Sequence, residues 1–264
     1  MEIIKSKDNS KIKYVRSLNS KKSREQNSSF VVEGIKFVKE TILENANIKF
    51  LLLSTSGVQK TEITEIINIC EEKNIEYFVT EDIIFDQVTD TIHDQGILAV
   101  VNKQNYETEK VLNSYKFIIL CDRIQDPGNL GTIIRTADAF GPAAIILNKG
   151  CADAYNPKVV RATAGALFRV PILIDLENSL IFEKLKNNSF KVISTVVNSD
   201  YFFDDVEKSE KICVVIGNEG SGVSQEIIQN SDINITIKMS GHAESLNASI
   251  AAGISIYEIR KKLL

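Results

Sequence analysis

A series of short, almost wholly apolar runs in the second half of the chain limits the fold more than any other feature. Residues 116–121, 143–147, 191–197, 211–216 and 233–238 are rich in Ile and Val, and stretches with helical spacing lie between them. A strand that is apolar on both faces needs cover on both, which a mostly parallel sheet with helices on each side supplies. Weaker strand signals alternate with helices in the first hundred residues as well. Residues 48–53, 76–79 and 96–101 read as strands, and 62–72 as a helix through Ile63, Ile66, Ile67 and Cys70. The N-terminal segment reads as a short basic helix over 7–17, a polar hinge over 19–29, and an apolar patch from Phe30 that leads into a helix ending near Leu43. The polar, non-repetitive stretch 105–114 separates the two halves and reads as a linker. The expected organisation is α/β throughout, with one domain over 1–104 and a second over 115–264.

Composition removes several classes. In 264 residues, 44% are hydrophobic and 25% charged, enough for a packed core and unlike a disordered chain. No apolar run reaches the ~18 residues of a membrane span, and the N-terminus lacks an apolar leader. Cys70, Cys121, Cys151 and Cys213 show no CxxC spacing, and the two histidines, His93 and His242, lie far apart. These features point to reduced thiols in a cytoplasmic protein, with no membrane and no metal site expected. His93 falls in a polar turn before a strand, and His242 reads as loop. The net charge is −4, yet residues 1–24 carry Lys5, Lys7, Lys11, Lys13, Arg16, Lys21, Lys22 and Arg24 against Glu2 and Asp8. Such an arm is either a phosphate-contacting surface or a solvated terminus. Lys158 and Arg161, three apart on a helix begun by Asn156-Pro157, pose the same choice.

Three stretches concentrate polar groups at the ends of apolar strands, where open α/β sheets bind ligands. In DRIQDPGNLGTIIRTADAFG, from Asp122 to Gly141, a Pro-Gly turn precedes a helix that Asn129 is read to cap. Asn129, Thr132, Arg135 and Thr136 share one face of it. The second stretch, Gly217-Asn-Glu-Gly-Ser-Gly-Val-Ser224, places three glycines where backbone N–H groups can approach a ligand. Its GxxGxG spacing is not the dinucleotide GxGxxG, and it has no P-loop lysine. Glu219 points to a ligand that is neutral or cationic at that point. In the third, Ser245 and Asn247 open a helix made thin by Ala248, Ser249, Ala251, Ala252 and Gly253.

Together these stretches resemble the SpoU (TrmH-type) branch of the SPOUT RNA methyltransferases. QDPGNLGTIIRTADAFG, VVIGNEGSGVS and IKMSGHAESLNASIAAG match its three motifs in order and spacing over roughly residues 115–262. KIKYVRSL and FVVEGIKFVKE resemble the substrate-binding domain, related to ribosomal-protein folds, that precedes the catalytic domain in ribosomal-RNA members. Lys238 stands where the family usually has Pro, and Ala248 where it has Val.

The resemblance implies a C-terminal trefoil-knotted domain, a homodimer with active sites at the subunit interface, and methyl transfer from S-adenosylmethionine to a ribose 2′-hydroxyl of RNA, 23S ribosomal RNA first. A tRNA substrate, or a catalytically silent RNA-binding assembly factor, are the alternatives. It implies Asn129, Arg135, Glu219, Ser245 and Asn247 as catalytic residues, and Thr195, Val196, Gly217, Ile237 and Leu246 as cofactor-binding. RNA affinity is assigned to Lys11, Lys13, Arg16, Arg24, Lys158 and Arg161. Whether Arg135 removes a proton or stabilises charge stays open, because a guanidinium holds its proton to above about pH 12.

Overall fold

A computed structural model describes residues 3–91 and 94–264, without the side chain of Asp175. His93 therefore lies outside the described residues. The chain forms two compact units, Met1–Asn105 with Tyr155–Phe168, and Tyr106–Ala154 with Arg169–Leu264.

The first unit runs β1 (Ile3–Ile4), α1 (Ser10–Ser17), α2 (Lys21–Gln26), β2 (Ser29–Glu33), α3 (Ile35–Leu43), β3 (Ile48–Ser54), α4 (Thr61–Lys73), β4 (Tyr77–Thr80), α5 (Asp82–Phe85) and β5 (Ile97–Asn102). Its sheet has the order β1-β4-β3-β5-β2, with β5 antiparallel to both β3 and β2 and the remaining pairs parallel. Ile12 and Val15 of α1 pack with Phe50, Leu52, Leu98 and Val100 of the sheet. The stretch read as a polar hinge contains α2. Ser20 caps that helix by accepting from the Ser23 N–H, 3.2 Å away.

The second unit, into which α8 (Pro157–Ala162) of the first unit is inserted in sequence after β7, comprises α6 (Thr108–Ser114), β6 (Phe117–Cys121), α7 (Pro127–Ala139), β7 (Ala144–Asn148), β8 (Ile172–Leu176), α9 (Asn178–Asn187), β9 (Lys191–Thr195), β10 (Ile212–Ile216), α10 (Gln225–Asn230), β11 (Ile233–Ile235) and α11 (Ala248–Arg260). Its six strands are all parallel, in the order β11-β9-β10-β6-β7-β8. The doubly apolar strands are buried as their composition requires: every residue of β6, β7 and β10 is buried. From β6 the chain steps one way to β7 and β8, then returns to β9 and β10 on the other side. That reversal opens a crevice at the C-terminal ends of the strands.

Four local expectations change. The 105–114 stretch is not a free linker, because α6 buries Val111 and Leu112. The strand at Ile172–Leu176 has no counterpart in the sequence reading. It is the sheet edge, with Ile174 exposed, so it lacks the doubly apolar signature. β11 ends at Ile235, and the chain from Thr236 to Asn247 is irregular. The helix α8 belongs with the first unit, although it lies between β7 and β8 in sequence. Within the first unit the rings of Tyr155 and Phe168, which flank α8, lie 4.8 and 6.3 Å from that of Phe30 in β2.

Candidate active site

The site is built on three loops that leave strands of the second sheet. The first joins β6 to α7. Asp126, not Asn129, caps α7: its carboxylate accepts from the Asn129 N–H at 2.8 Å, and Pro127 holds the first turn. This frees the Asn129 side chain. The second loop follows β10 and doubles back on itself, with Asn218 and Gly222 exchanging backbone hydrogen bonds of 3.1 and 3.0 Å. Glycine is required at two places. A Cβ on Gly217 would lie 2.3 Å from the Val223 nitrogen, and Gly222 has φ of +66°. The third loop is the irregular segment before α11, whose first N–H groups, of Ser249 and Ile250, donate to the capping Asn247 side chain.

Polar side chains join the three loops. Glu219 accepts from the N–H groups of Gln125 and Asp126, both at 3.2 Å, and from the Asn129 amide at 3.0 Å. Asn129 in turn accepts from the Asn247 amide at 3.0 Å. Partial burial raises the Glu219 pKa, but the bonds from Asn129 and the loop N–H groups outweigh it and hold the carboxyl below its ordinary value. Glu219 is therefore a charged acceptor, fully engaged in fastening α7 and its loop to the glycine loop.

A cavity of about 440 Å³ opens beside this cluster. Thr195, Val196, Gly217, Ile237 and Leu246, the five residues assigned to the cofactor, all line it, as do Glu219 and Ser245. Its size lies within the ~300–1,000 Å³ of small-molecule sites. Its walls suit a ligand held by main chain. Among the described residues, no backbone group from Ile237 to Leu246 takes part in a hydrogen bond, so these donors and acceptors are open. A Cβ on Gly220, Gly222 or Gly241 would meet no tight contact. Thr195 directs its hydroxyl proton to the Val215 carbonyl at 2.8 Å, so it contributes wall more than donor. The lining fits S-adenosylmethionine, a ligand that open main-chain groups such as these can hold. Among the described residues no group of His, Cys, Asp and Glu could hold a metal ion.

Not every assigned residue joins the cluster. Arg135 is exposed on α7, and among the described residues its guanidinium makes no hydrogen bond or ion pair. Thr132 and Thr136 on the same stripe donate to the carbonyls of Gly128 and Thr132 in their own helix, both at 2.8 Å, so their hydroxyls do not converge on a ligand.

The cations assigned to RNA lie in the first unit and divide similarly. Arg24 is a correction: it is 2% exposed, and its guanidinium donates to the carbonyls of Leu18 and Asn19 at 2.7 and 2.8 Å, so it tethers α2 to the end of α1 and cannot reach a phosphate. Lys13 pairs with Asp8 at 2.9 Å, Arg161 with Asp90 at 2.9 Å, and Arg16 donates to Gln87 at 3.1 Å. The Lys11 ammonium lies over the Phe78 ring at 4.2 Å and 3.8 Å from Glu76. Exposed pairs of this kind are worth only ~0–1 kcal/mol, so a phosphate can displace them. Lys158 is exposed with no ion pair among the described residues.

Two further residues were legible but passed over. A charged Asp122 and an amide Asn148 each end or follow a wholly apolar buried strand, and both are buried. An acid at the end of such a run is a signal in itself, because it is retained only where donors await it.

Comparison with known proteins follows the same two units. The SpoU rRNA methylase family model matches residues 116–257, and a model of the MRM3-like substrate-binding domain matches residues 9–99. The 23S rRNA (guanosine(2553)-2′-O)-methyltransferase RlmP of Bacillus subtilis is 34% identical over 98% of this chain and 100% of its own length. The crystal structure of an AdoMet-bound rRNA methyltransferase from Sinorhizobium meliloti superposes with a TM-score of 0.88 at 27% identity, covering 100% of this chain and 98% of that one. The SpoU methyltransferase AviRb of Streptomyces viridochromogenes, in complex with AdoMet, has a TM-score of 0.87 at 24% identity over 96% and 98% of the two chains, and supports the fold alone.

Proposed function

The chain belongs to the SpoU rRNA methylase family, and from that premise we propose that it transfers a methyl group from S-adenosylmethionine to a ribose 2′-hydroxyl of 23S ribosomal RNA. The observation that carries the reading is the convergence of Asn129, Glu219 and Asn247, from three separate loops, at the rim of one cavity lined by open backbone groups. The family pattern accounts for each residue there, and the full-length likeness to a 23S ribosomal RNA enzyme favours that substrate over tRNA. A ribosomal RNA substrate supports a cytoplasmic location as part of the same reading. Among the described residues no helix is long and apolar enough to cross a membrane.

When bound, S-adenosylmethionine supplies an electrophilic methyl group. The residues of the chain do the rest. The glycine loop and the 237–246 segment hold the cofactor, and Glu219 and Asn129 keep their loops in register. Ser245, which lines the cavity, and Asn247, beside it on Asn129, meet the ribose hydroxyl and its phosphate. Arg135 binds the RNA phosphate and stabilises the negative charge that develops on the ribose oxygen as the hydroxyl proton passes to solvent water, a role suited to the planar donor fork of a guanidinium. Holding the hydroxyl in line accounts for several kcal/mol of barrier.

The reading includes a homodimer and the family's trefoil knot. Exposed Phe140 at the C-terminal cap of α7 and Ile250 and Tyr257 on α11, with the first and last rings 5.7 Å apart and open space beside Gly253, support a self-association face on the helices that flank the site. The irregular 236–247 segment, returning past the C-terminal end of β9 to the glycine loop, supports the knot. The first unit holds the RNA through Lys11, Lys13, Arg16, Lys158 and Arg161.

The test incubates the full chain with methyl-labelled S-adenosylmethionine and unmodified 23S ribosomal RNA or tRNA, then maps ribose methylation. Label at a 2′-oxygen of 23S RNA is expected. Label in tRNA alone would move the substrate, and cofactor binding without incorporation would leave an assembly factor.

A further inference from the structure

The loop between β6 and α7 begins with the pair Asp122 and Arg123. Asp122 is fully buried at the end of β6, where an uncompensated carboxylate would be costly. It is compensated in full. One oxygen accepts from the Asn148 amide at 2.6 Å and from Arg123 Nε at 3.0 Å; the other accepts from the Ser224 N–H at 2.7 Å and from Arg123 Nη2 at 3.1 Å. Arg123 reaches back to its own neighbour with its backbone left-handed, at φ of +55°, a conformation uncommon in residues other than glycine. The Asn148 side chain steadies that conformation by accepting from the Arg123 N–H at 2.8 Å.

The pair also holds the glycine loop by both ends. Arg123 Nη2 donates to the Gly222 carbonyl at 3.1 Å, and the Arg123 carbonyl accepts from the Asn218 amide at 2.8 Å. With the Ser224 N–H on Asp122, three bonds bracket the stretch 218–224, which carries Glu219 and forms one wall of the cavity. The wall is otherwise glycine-rich and has little stiffness of its own.

We propose that Asp122 and Arg123 are positioning residues for cofactor binding. They act as an ionic clamp, anchored on the buried Asp122 carboxylate, that holds the glycine loop in the shape S-adenosylmethionine requires. Neither lines the cavity, so their effect passes through residues 218–224. The inference rests on the reading of that cavity as the S-adenosylmethionine site.

The clamp makes a prediction that a merely structural pair does not. Loosening the loop weakens cofactor binding specifically, whereas a general loss of stability lowers the active fraction and leaves both Michaelis constants unchanged. The experiment uses the full chain with Arg123→Met, which keeps bulk and removes every donor, and Arg123→Lys, which keeps a charge that can reach one of the two partners. S-adenosylmethionine affinity is measured by calorimetry, KM for cofactor and for RNA by methyl incorporation, and folding by thermal denaturation.

A tenfold or greater rise in Kd and KM for S-adenosylmethionine is expected for Arg123→Met, with KM for RNA unchanged and partial recovery in Arg123→Lys. Should Arg123→Met fail to fold, Arg123→Lys alone decides: an intermediate loss of cofactor affinity upholds the clamp. Folded variants with wild-type cofactor affinity overturn it. A wild-type chain that binds no S-adenosylmethionine removes the parent reading and the clamp together.

Discussion

Arg135 shows how residue chemistry and placement divide the work at this site. Its side chain is exposed and, among the described residues, unpaired, as is that of Ser245, whereas Asn129, Glu219 and Asn247 are joined by hydrogen bonds. Removing it should therefore disturb nothing that shapes the cofactor cavity. Arg135→Ala is expected to lower methyl transfer by about 10²-fold or more while S-adenosylmethionine affinity, measured by calorimetry, stays at the wild-type level. Loss of both in parallel would refute a role confined to the RNA side. Asp122 and Glu219 carry a pH prediction. Burial alone would raise both, but their donors hold both below the ordinary carboxyl value, so the folded state favours the charged forms. Their contribution to stability is complete above the unfolded value of about 4 and is lost as pH falls through the lowered folded values. Urea midpoints should be level from about pH 8 to 5 on their account and drop below about pH 4, less steeply in Glu219→Gln. A Glu219→Gln profile identical to wild type would exclude Glu219 from that loss.

At the scale of elements, α11 is tied to the site by the residue that caps it. Asn247 accepts the N–H groups of Ser249 and Ile250 as a cap and donates its amide to Asn129. Two substitutions separate these duties. Asn247→Ala removes both and should cost about 1 kcal/mol of stability. Asn247→Asp keeps the cap, and its charge suits a helix N-terminus, but it loses the amide donor. Denaturant midpoints near wild type with methylation sharply reduced are expected for Asn247→Asp. Full activity in that variant would show that the bond to Asn129 contributes only to the fold. The same element logic explains why α7 starts where it does. Pro127 and the Asp126 cap define its first turn, which leaves Asn129 free to bridge Glu219 and Asn247.

For the whole molecule, the informative feature is that the chain leaves the second unit after Ala154 and returns at Arg169. The intervening residues bury Tyr155, Val159, Val160, Ala166 and Leu167 within the first unit. A fragment of residues 106–264 would carry these apolar groups without β2, against which α8 packs. It should aggregate, whereas the same fragment with residues 155–168 replaced by a short Gly-Ser linker should stay monodisperse or dimeric by light scattering. Equal behaviour of the two fragments would mean that the excursion is dispensable packing.

The sequence by itself determined the elements whose signal is local. Doubly apolar runs become buried parallel strands because no other arrangement covers both faces, and glycine at 217 and 222 is demanded by backbone geometry. It also placed Asn129, Glu219 and Asn247 in one list through their motifs. Only the tertiary structure decided which of them touch, because residues 90 and 118 positions apart meet through the order of the strands and no periodicity encodes that order. The same limit hid the exposed edge strand at Ile172–Leu176 and made Arg24 look like a phosphate ligand. A basic side chain in a polar stretch reads as solvated until the carbonyls that bury it are known.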